Sequence, residues 1–158
     1  MGVYRFEDLR VWQAAKEQCD RVGLLMKRPE FRQDPALLTQ MNEASLSVML
    51  NISEGFLRRR DKETLQFLRF SAGSNGELRA CYYAAHGRQY IDNSERDELL
   101  ELNASIGRMT RRFQQSLGEG APRGTKDQGP TKDQGRTKDQ GRTEDQGRTR
   151  NRGPGTKD

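Results

Sequence analysis

Leu99, Leu102, Ile106, Met109, Phe113 and Leu117 recur at steps of 3, 4, 3, 4 and 4. That spacing lines one stripe of an α-helix and cannot line one face of a strand. Three earlier segments repeat the pattern. The first covers about residues 7–27, with Leu9, Trp12, Ala15, Cys19, Val22 and Met26 on its stripe and Pro29 just beyond its end. Asp34-Pro35 opens the second, because Asp caps a helix and Pro loses nothing at the first helical position. Its stripe of Leu38, Met41, Ser45, Val48 and Ile52 is widened by Leu37, Ala44, Leu46 and Leu50, and it ends near Gly55-Phe56-Leu57. The third starts after Asp61, a second candidate cap, and runs to about His86 or Tyr90. The fourth follows Asn93-Ser94, with Ser94 or a neighbour as cap and Glu95, Asp97 and Glu98 suited to the positive end of the helix dipole. Connections of roughly 5–9 residues then predict an all-α fold, an antiparallel up-down-up-down four-helix bundle.

Two stretches fit this scheme less easily. Ser71-Ala72-Gly73-Ser74-Asn75-Gly76 lies inside the third helix, where each glycine costs about 1 kcal/mol relative to alanine. A close-packed neighbour, within the bundle or from another subunit, would offset that cost; a loop is the competing reading. From about Gly118 onward there is no Val, Ile, Leu, Met, Phe, Trp, Tyr or Cys, and a hexapeptide repeats as TKDQGP, TKDQGR twice, TEDQGR and TRNRGP. Such a unit has no apolar face to bury against its neighbours, so it predicts disorder. It is either a dispensable solubilising tail or a weak polyelectrolyte contact. The expected organisation is a four-helix bundle over 1–118 and a disordered hexapeptide-repeat tail over 119–158.

The net charge of +5 is mostly a property of that tail, since residues 1–120 carry 18 Lys and Arg against 17 Asp and Glu. A nucleic-acid surface therefore has to rest on local clusters. Cys19 and Cys81 fall on apolar helix faces outside any CxxC pair, as buried thiols in a reducing compartment would. No apolar run is long enough to span a bilayer. The expectation is a soluble, cytoplasmic protein with no membrane partner.

Asn51-Ile52-Ser53-Glu54-Gly55 breaks the apolar pattern at the end of the second helix. As catalytic groups, Asn51 and Glu54 lack a nucleophile or metal partner nearby. As structural groups, Asn51 would fix register on a seam, Glu54 would accept from N–H groups of the third helix or pair with an Arg, and Gly55 would permit the turn. Glu77 reads as an interhelical partner of an Arg or of Asn51. Beyond the break come Arg58, Arg59, Arg60 and Lys62, while Arg108, Arg111 and Arg112 end the fourth helix. In an up-down path the second and fourth helices run parallel, so these clusters would share one end. They are either a phosphate-contacting patch or solvated, dipole-favourable helix ends. Arg69 and Arg79 would extend the patch along the third helix. His86 is the single histidine, Glu-x-x-His pairs are absent, and no phosphate-cradling or hydrolase motif occurs. No metal, cofactor or enzymatic activity is expected.

The order of three motifs resembles a known family. Phe6-x-x-Leu9-x-Val11-Trp12-Gln13-x-Ala15 opens the first helix, Asn51-Ile52-Ser53-Glu54-Gly55 closes the second, and Phe67-Leu68 precedes Ala72-Gly73-Ser74-x-x-Glu77-Leu78 in the third. Over about residues 4–117 the chain resembles the bacterial 23S rRNA intervening-sequence (S23) four-helix bundle proteins, relatives of the accessory variability determinants of diversity-generating retroelements. The family pattern has Ala where Ser53 stands and usually Leu where Asn75 stands. The resemblance implies a homo-oligomer, a ring-like pentamer, with no established enzymatic activity. It also implies RNA or DNA contact through a basic surface and, in the retroelement relatives, a reverse transcriptase partner. A protein–protein adaptor is the alternative. Trp12, Asn51, Glu54, Gly55, Gly73, Ser74 and Glu77 carry the family pattern.

Overall fold

The computed structural model describes residues 3–118, which contain five α-helices and no strand; the predicted tail lies outside them. A 3-10 turn at Phe6–Asp8 leads into α1 (Arg10–Leu25), followed by a short α2 (Pro29–Arg32), α3 (Pro35–Leu57), α4 (Asp61–Gly87) and α5 (Asn93–Ser116). The short α2 was not foreseen. Pro29 does not merely follow a helix but begins one, in the position where its missing N–H costs nothing. This turn drives Phe31 completely into the core, against the Tyr90 ring at 5.3 Å between centroids.

Asp34 caps α3 as expected, its carboxylate accepting from the Leu37 N–H at 3.2 Å. Two other caps differ from expectation. Asp61 is the first helical residue of α4, behind an Arg60 N-cap that makes no side-chain capping bond. At α5 the cap is Asp92 rather than Ser94. Asp92 accepts from the Glu95 N–H and Glu95 accepts from the Asp92 N–H, a reciprocal box that satisfies two donors at the helix start. The small-residue run at 71–76 is helical throughout.

α1 and α4 each pack against both α3 and α5. Cross-helix partners fall in number along one helix as they rise along the other. Thr64 reaches Gly55, Ser71 reaches Val48 and Gln40 reaches Glu77 between α3 and α4. Asn75 meets Asn103 and His86 meets Asn93 between α4 and α5.

The core has two apolar clusters. One gathers Val22, Leu25, Phe31, Leu37, Met41, Leu78, Tyr82, Ala85, Ile91 and Leu99. The other gathers Val11, Ala15, Val48, Ile52, Leu68 and Ile106. On each long helix a buried polar residue falls between the two: Gln18, Ser45, Asn75 (with Ser71) and Asn103. Asn75 Nδ2 donates to the Asn103 carbonyl at 3.0 Å, and Asn103 Nδ2 donates to the Asn75 carbonyl at 2.8 Å and to its Oδ1 at 2.9 Å. Gln18 Nε2 donates to the same Oδ1 at 3.2 Å. Buried amides need such partners, so Asn75 is not a defect in an apolar seam. It is the hub of a polar layer joining α1, α4 and α5. Leu50, counted on the apolar stripe from sequence, is instead 55% exposed.

Candidate nucleic-acid interface

Three arginines make up the entire connection between α3 and α4. Arg58 continues in helical conformation, Arg59 turns left-handed at φ 55°, and Arg60 is extended. The reversal is therefore made at Arg59 and not at Gly55, which is an ordinary helical residue of α3. Gly55 serves closeness instead. A Cβ there would come within 3.0 Å of the Phe67 Cβ and 3.3 Å of the Thr64 carbonyl oxygen. The first turn of α4 rests on this bare spot, and the Thr64 hydroxyl donates to the Gly55 carbonyl at 2.8 Å.

The remaining residues of the break also find partners. Glu54 pairs with Arg58 one turn on in its own helix, and Arg58 lies over the Phe67 ring at 5.2 Å. Asn51 does not cross the seam itself. Its amide donates to the Ser47 carbonyl at 2.8 Å and to the Ser47 hydroxyl at 3.0 Å, and that hydroxyl meets Ser74 of α4 at 2.8 Å. Glu77 faces Gln40, at 3.5 Å, rather than an Arg or Asn51. Gly73 has open space where a Cβ would stand, so no neighbour among the described residues packs close there. Trp12 is half-buried edge-on to Phe6, ring centroids 5.1 Å apart.

The C-terminal parts of α3 and α5 share one apolar cluster, in which Ile52 and Ile106 are joined by Met109, Phe113 and Leu117. The two arginine groups thus hang on the same half of the core. Their states differ within each group. Arg58 is held by Glu54, Arg60 by Glu63 at 3.4 Å, and Arg108 by Glu101 at 2.6 Å. Arg59, Lys62, Arg111 and Arg112 are exposed and make no ion pair among the described residues. Arg69 and Arg79 are both exposed on α4, but Arg79 lies one turn past Asn75, beside the polar layer and away from the arginine connection.

Other chemistry is sparse. No group of His, Cys, Asp and Glu among the described residues is arranged to hold a metal ion. His86 Nε2 is engaged with Asn93 at 2.8 Å. Burial pushes the Cys81 thiol and the Tyr82 hydroxyl above their ordinary pKa values, which keeps that thiol out of its reactive form. No described helix is long and apolar enough to cross a membrane.

Sequence reasoning passed over Gln18, Asn103 and Thr110 because a stripe was sought among apolar residues alone. Val11, Ala15, Gln18, Val22 and Leu25 are the buried face of α1, and Leu99, Asn103, Ile106 and Thr110 that of α5. Admitting amides and hydroxyls to the 3–4 pattern would have found both.

No curated protein matches the chain at a significant level. The family model described as 23S rRNA-intervening sequence protein matches residues 7–112, a span running from the 3-10 turn through α1, the Asn51–Gly55 break and the arginine connection into the last turns of α5. Covering more than half of the chain, with the second and third motifs whole and the first from Leu9 onward, that match establishes that the protein belongs to the 23S rRNA-intervening sequence protein family.

Proposed function

We propose that this protein is a non-enzymatic, cytoplasmic, homo-oligomeric bundle that contacts RNA through Arg59 and Lys62 together with Arg111 and Arg112. The fold behind this reading is an antiparallel up-down-up-down four-helix bundle, supported by the falling partner register between packed helices. The observation that carries it is the connection made wholly of arginine, whose central residue holds a left-handed backbone. Arg in that conformation costs roughly 1 kcal/mol that Gly would not, and the loop exposes its charge with no carboxylate partner among the described residues. Phosphate oxygens suit the guanidinium fork. In the pentamer that the family resemblance implies, the patch would recur around a ring. The absence of catalysis is part of the proposal. It is supported by the α5 carboxylates being spent on caps and ion pairs, Glu95 with Arg28, Glu98 with Arg21 and Glu101 with Arg108.

The test is a fluorescence-anisotropy titration of the full chain with a hairpin from a 23S rRNA intervening sequence, repeated over salt. Each neutralised phosphate contributes about 0.7–0.9 to the slope of log K against log salt. Replacing Arg59, Lys62, Arg111 and Arg112 with Ala should lower that slope by about 3. Binding that is absent at low salt, or indifferent to the four substitutions, would sink the reading. Light scattering checks the oligomer. The ion pairs that occupy Arg58, Arg60 and Arg108 favour a second reading, a protein–protein adaptor such as an accessory subunit of a reverse transcriptase. Co-purification of protein without nucleic acid would support it.

A further inference from the structure

Between the first two turns of α1 and the last turns of α5 the surface is hollowed into an open furrow of about 680 Å³. Leu9, Val11, Ala14, Met109 and Phe113 line it, and all but Val11 remain partly exposed. Arg10 stands on the α1 side and Arg112 on the α5 side, neither in an ion pair among the described residues. The one acid lining the furrow, Glu17, is already bound by Arg21 at 2.8 Å. The floor is therefore apolar and the rim carries uncompensated positive charge.

We infer that this furrow docks an acidic amphipathic helix of a partner protein. The lining residues recur along α1 at 10, 13, 14 and 17, and along α5 at 105, 109, 112 and 113. These are two ridges, each about two turns or 10 Å long. The groove between two such ridges accepts the side-chain ridge of a third helix. Apolar side chains at i, i+3 or i+4, and i+7 of the incoming helix meet the floor, and carboxylates flanking them meet Arg10 and Arg112. A nucleic-acid strand fits less well, because stacking needs aromatic platforms and Phe113 is the single ring in the lining. The site is separate from the arginine connection and shares only Arg112 with the proposed RNA surface.

The probe is a labelled helical peptide of 14 residues with leucines at i, i+3, i+7 and i+10 and glutamates on both flanks. A matched peptide carries lysines in place of the glutamates. Titrated into the full chain, the acidic peptide should bind at least tenfold more tightly than the basic one. Arg10→Glu should reverse that preference, and Ala14→Phe, which fills the floor, should abolish binding while circular dichroism shows an intact fold. Amide shifts in a two-dimensional NMR spectrum should cluster at residues 10–17 and 105–113. Ala14→Phe leaves Arg59, Lys62, Arg111 and Arg112 in place, so the RNA titration should be unchanged in that variant. RNA binding lost with peptide binding retained would break the proposed function alone. Equal affinity for the two peptides, or indifference to both substitutions, would overturn the inference. So would an Ala14→Phe variant that loses its oligomeric state, which would make the occupant a second copy, or RNA binding that disappears with Ala14→Phe.

Discussion

At the end of the molecule built round Phe31 and Tyr82, Arg28 is held by Glu95 at 2.5 Å, Arg88 by Asp34, and Arg96 by Asp97 at 2.8 Å. At the end built round Ile52 and Ile106, Arg59, Lys62, Arg111 and Arg112 have no carboxylate partner among the described residues. The difference lies in what the acids are doing. Asp34 caps α3 and also receives Arg88 and the Tyr90 hydroxyl, and Glu95 closes the capping box while holding Arg28. Asp34 and Glu95 thus each serve two elements at once. Exposed ion pairs add little by themselves, about 0–1 kcal/mol each, but caps add about 1 kcal/mol. The capped end is arranged for stability. The basic end leaves charge available; the backbone cost is common to both ends, with Arg59 left-handed at one and Gln89 at the other.

The contrast is broken most severely by Phe31→Ala. Its side chain is fully buried at the capped end, so the substitution should cost about 3–5 kcal/mol in urea denaturation while leaving RNA affinity of the folded protein intact. A loss below about 1 kcal/mol would mean that the capped end does not anchor the fold. Next comes Asn75→Ala, which strands the Gln18 amide and leaves Asn103 only the backbone carbonyl of residue 75, and should cost about 2 kcal/mol. Replacing Gln18, Asn75 and Asn103 together with Leu should recover most of that, since apolar partners leave nothing of the layer unpaired. Gly55→Ala should cost about 1–2 kcal/mol by pressing on Phe67 and Thr64, and thermal melting would detect it. Arg59→Gly goes the other way. It should stabilise by roughly 1 kcal/mol and weaken RNA binding, so stability and function would move in opposite directions at one residue.

The smallest effect concerns pH. The Arg28 hydrogen bond holds the Glu95 carboxyl below its ordinary value of 4.5. A folded-state value below the unfolded one stabilises the protein above about pH 4.5 and ceases to do so as pH falls through the folded value. Glu95→Gln should therefore flatten the acid limb of a stability–pH curve and leave its neutral region lower by the lost pair.

The long helices were legible because their signals are local. Asp34-Pro35 announces α3, and the apolar stripes of α1 and α5 have the right period. The faces those stripes mark were less legible. Gln18 and Asn103 occupy core positions, yet their polarity reads as surface until the partner amide is known. That partner stands 57 residues away from Gln18 and 28 from Asn103. Gly55 was recognised as special for the wrong reason. A glycine after an apolar run suggests a turn, and only the position of Phe67 reveals a close contact. For the candidate interface, both clusters were visible, but which cations are neutralised depends on rotamers toward Glu54, Glu63 and Glu101 that spacing alone does not decide.

The layer of Gln18, Asn75 and Asn103 has a further consequence for how the chain can vary in length. Apolar seams tolerate a shift of one turn, whereas three amides meet in one alignment only. The layer is thus the datum from which each end is measured. Four residues inserted into α5 between Asn103 and Arg108 would carry the basic terminus outward by about 6 Å and leave the capped end in place. The same insertion between Asp92 and Leu99 would displace the cap and leave Arg111 and Arg112 where they are. Reach at one end and anchorage at the other can then be adjusted independently.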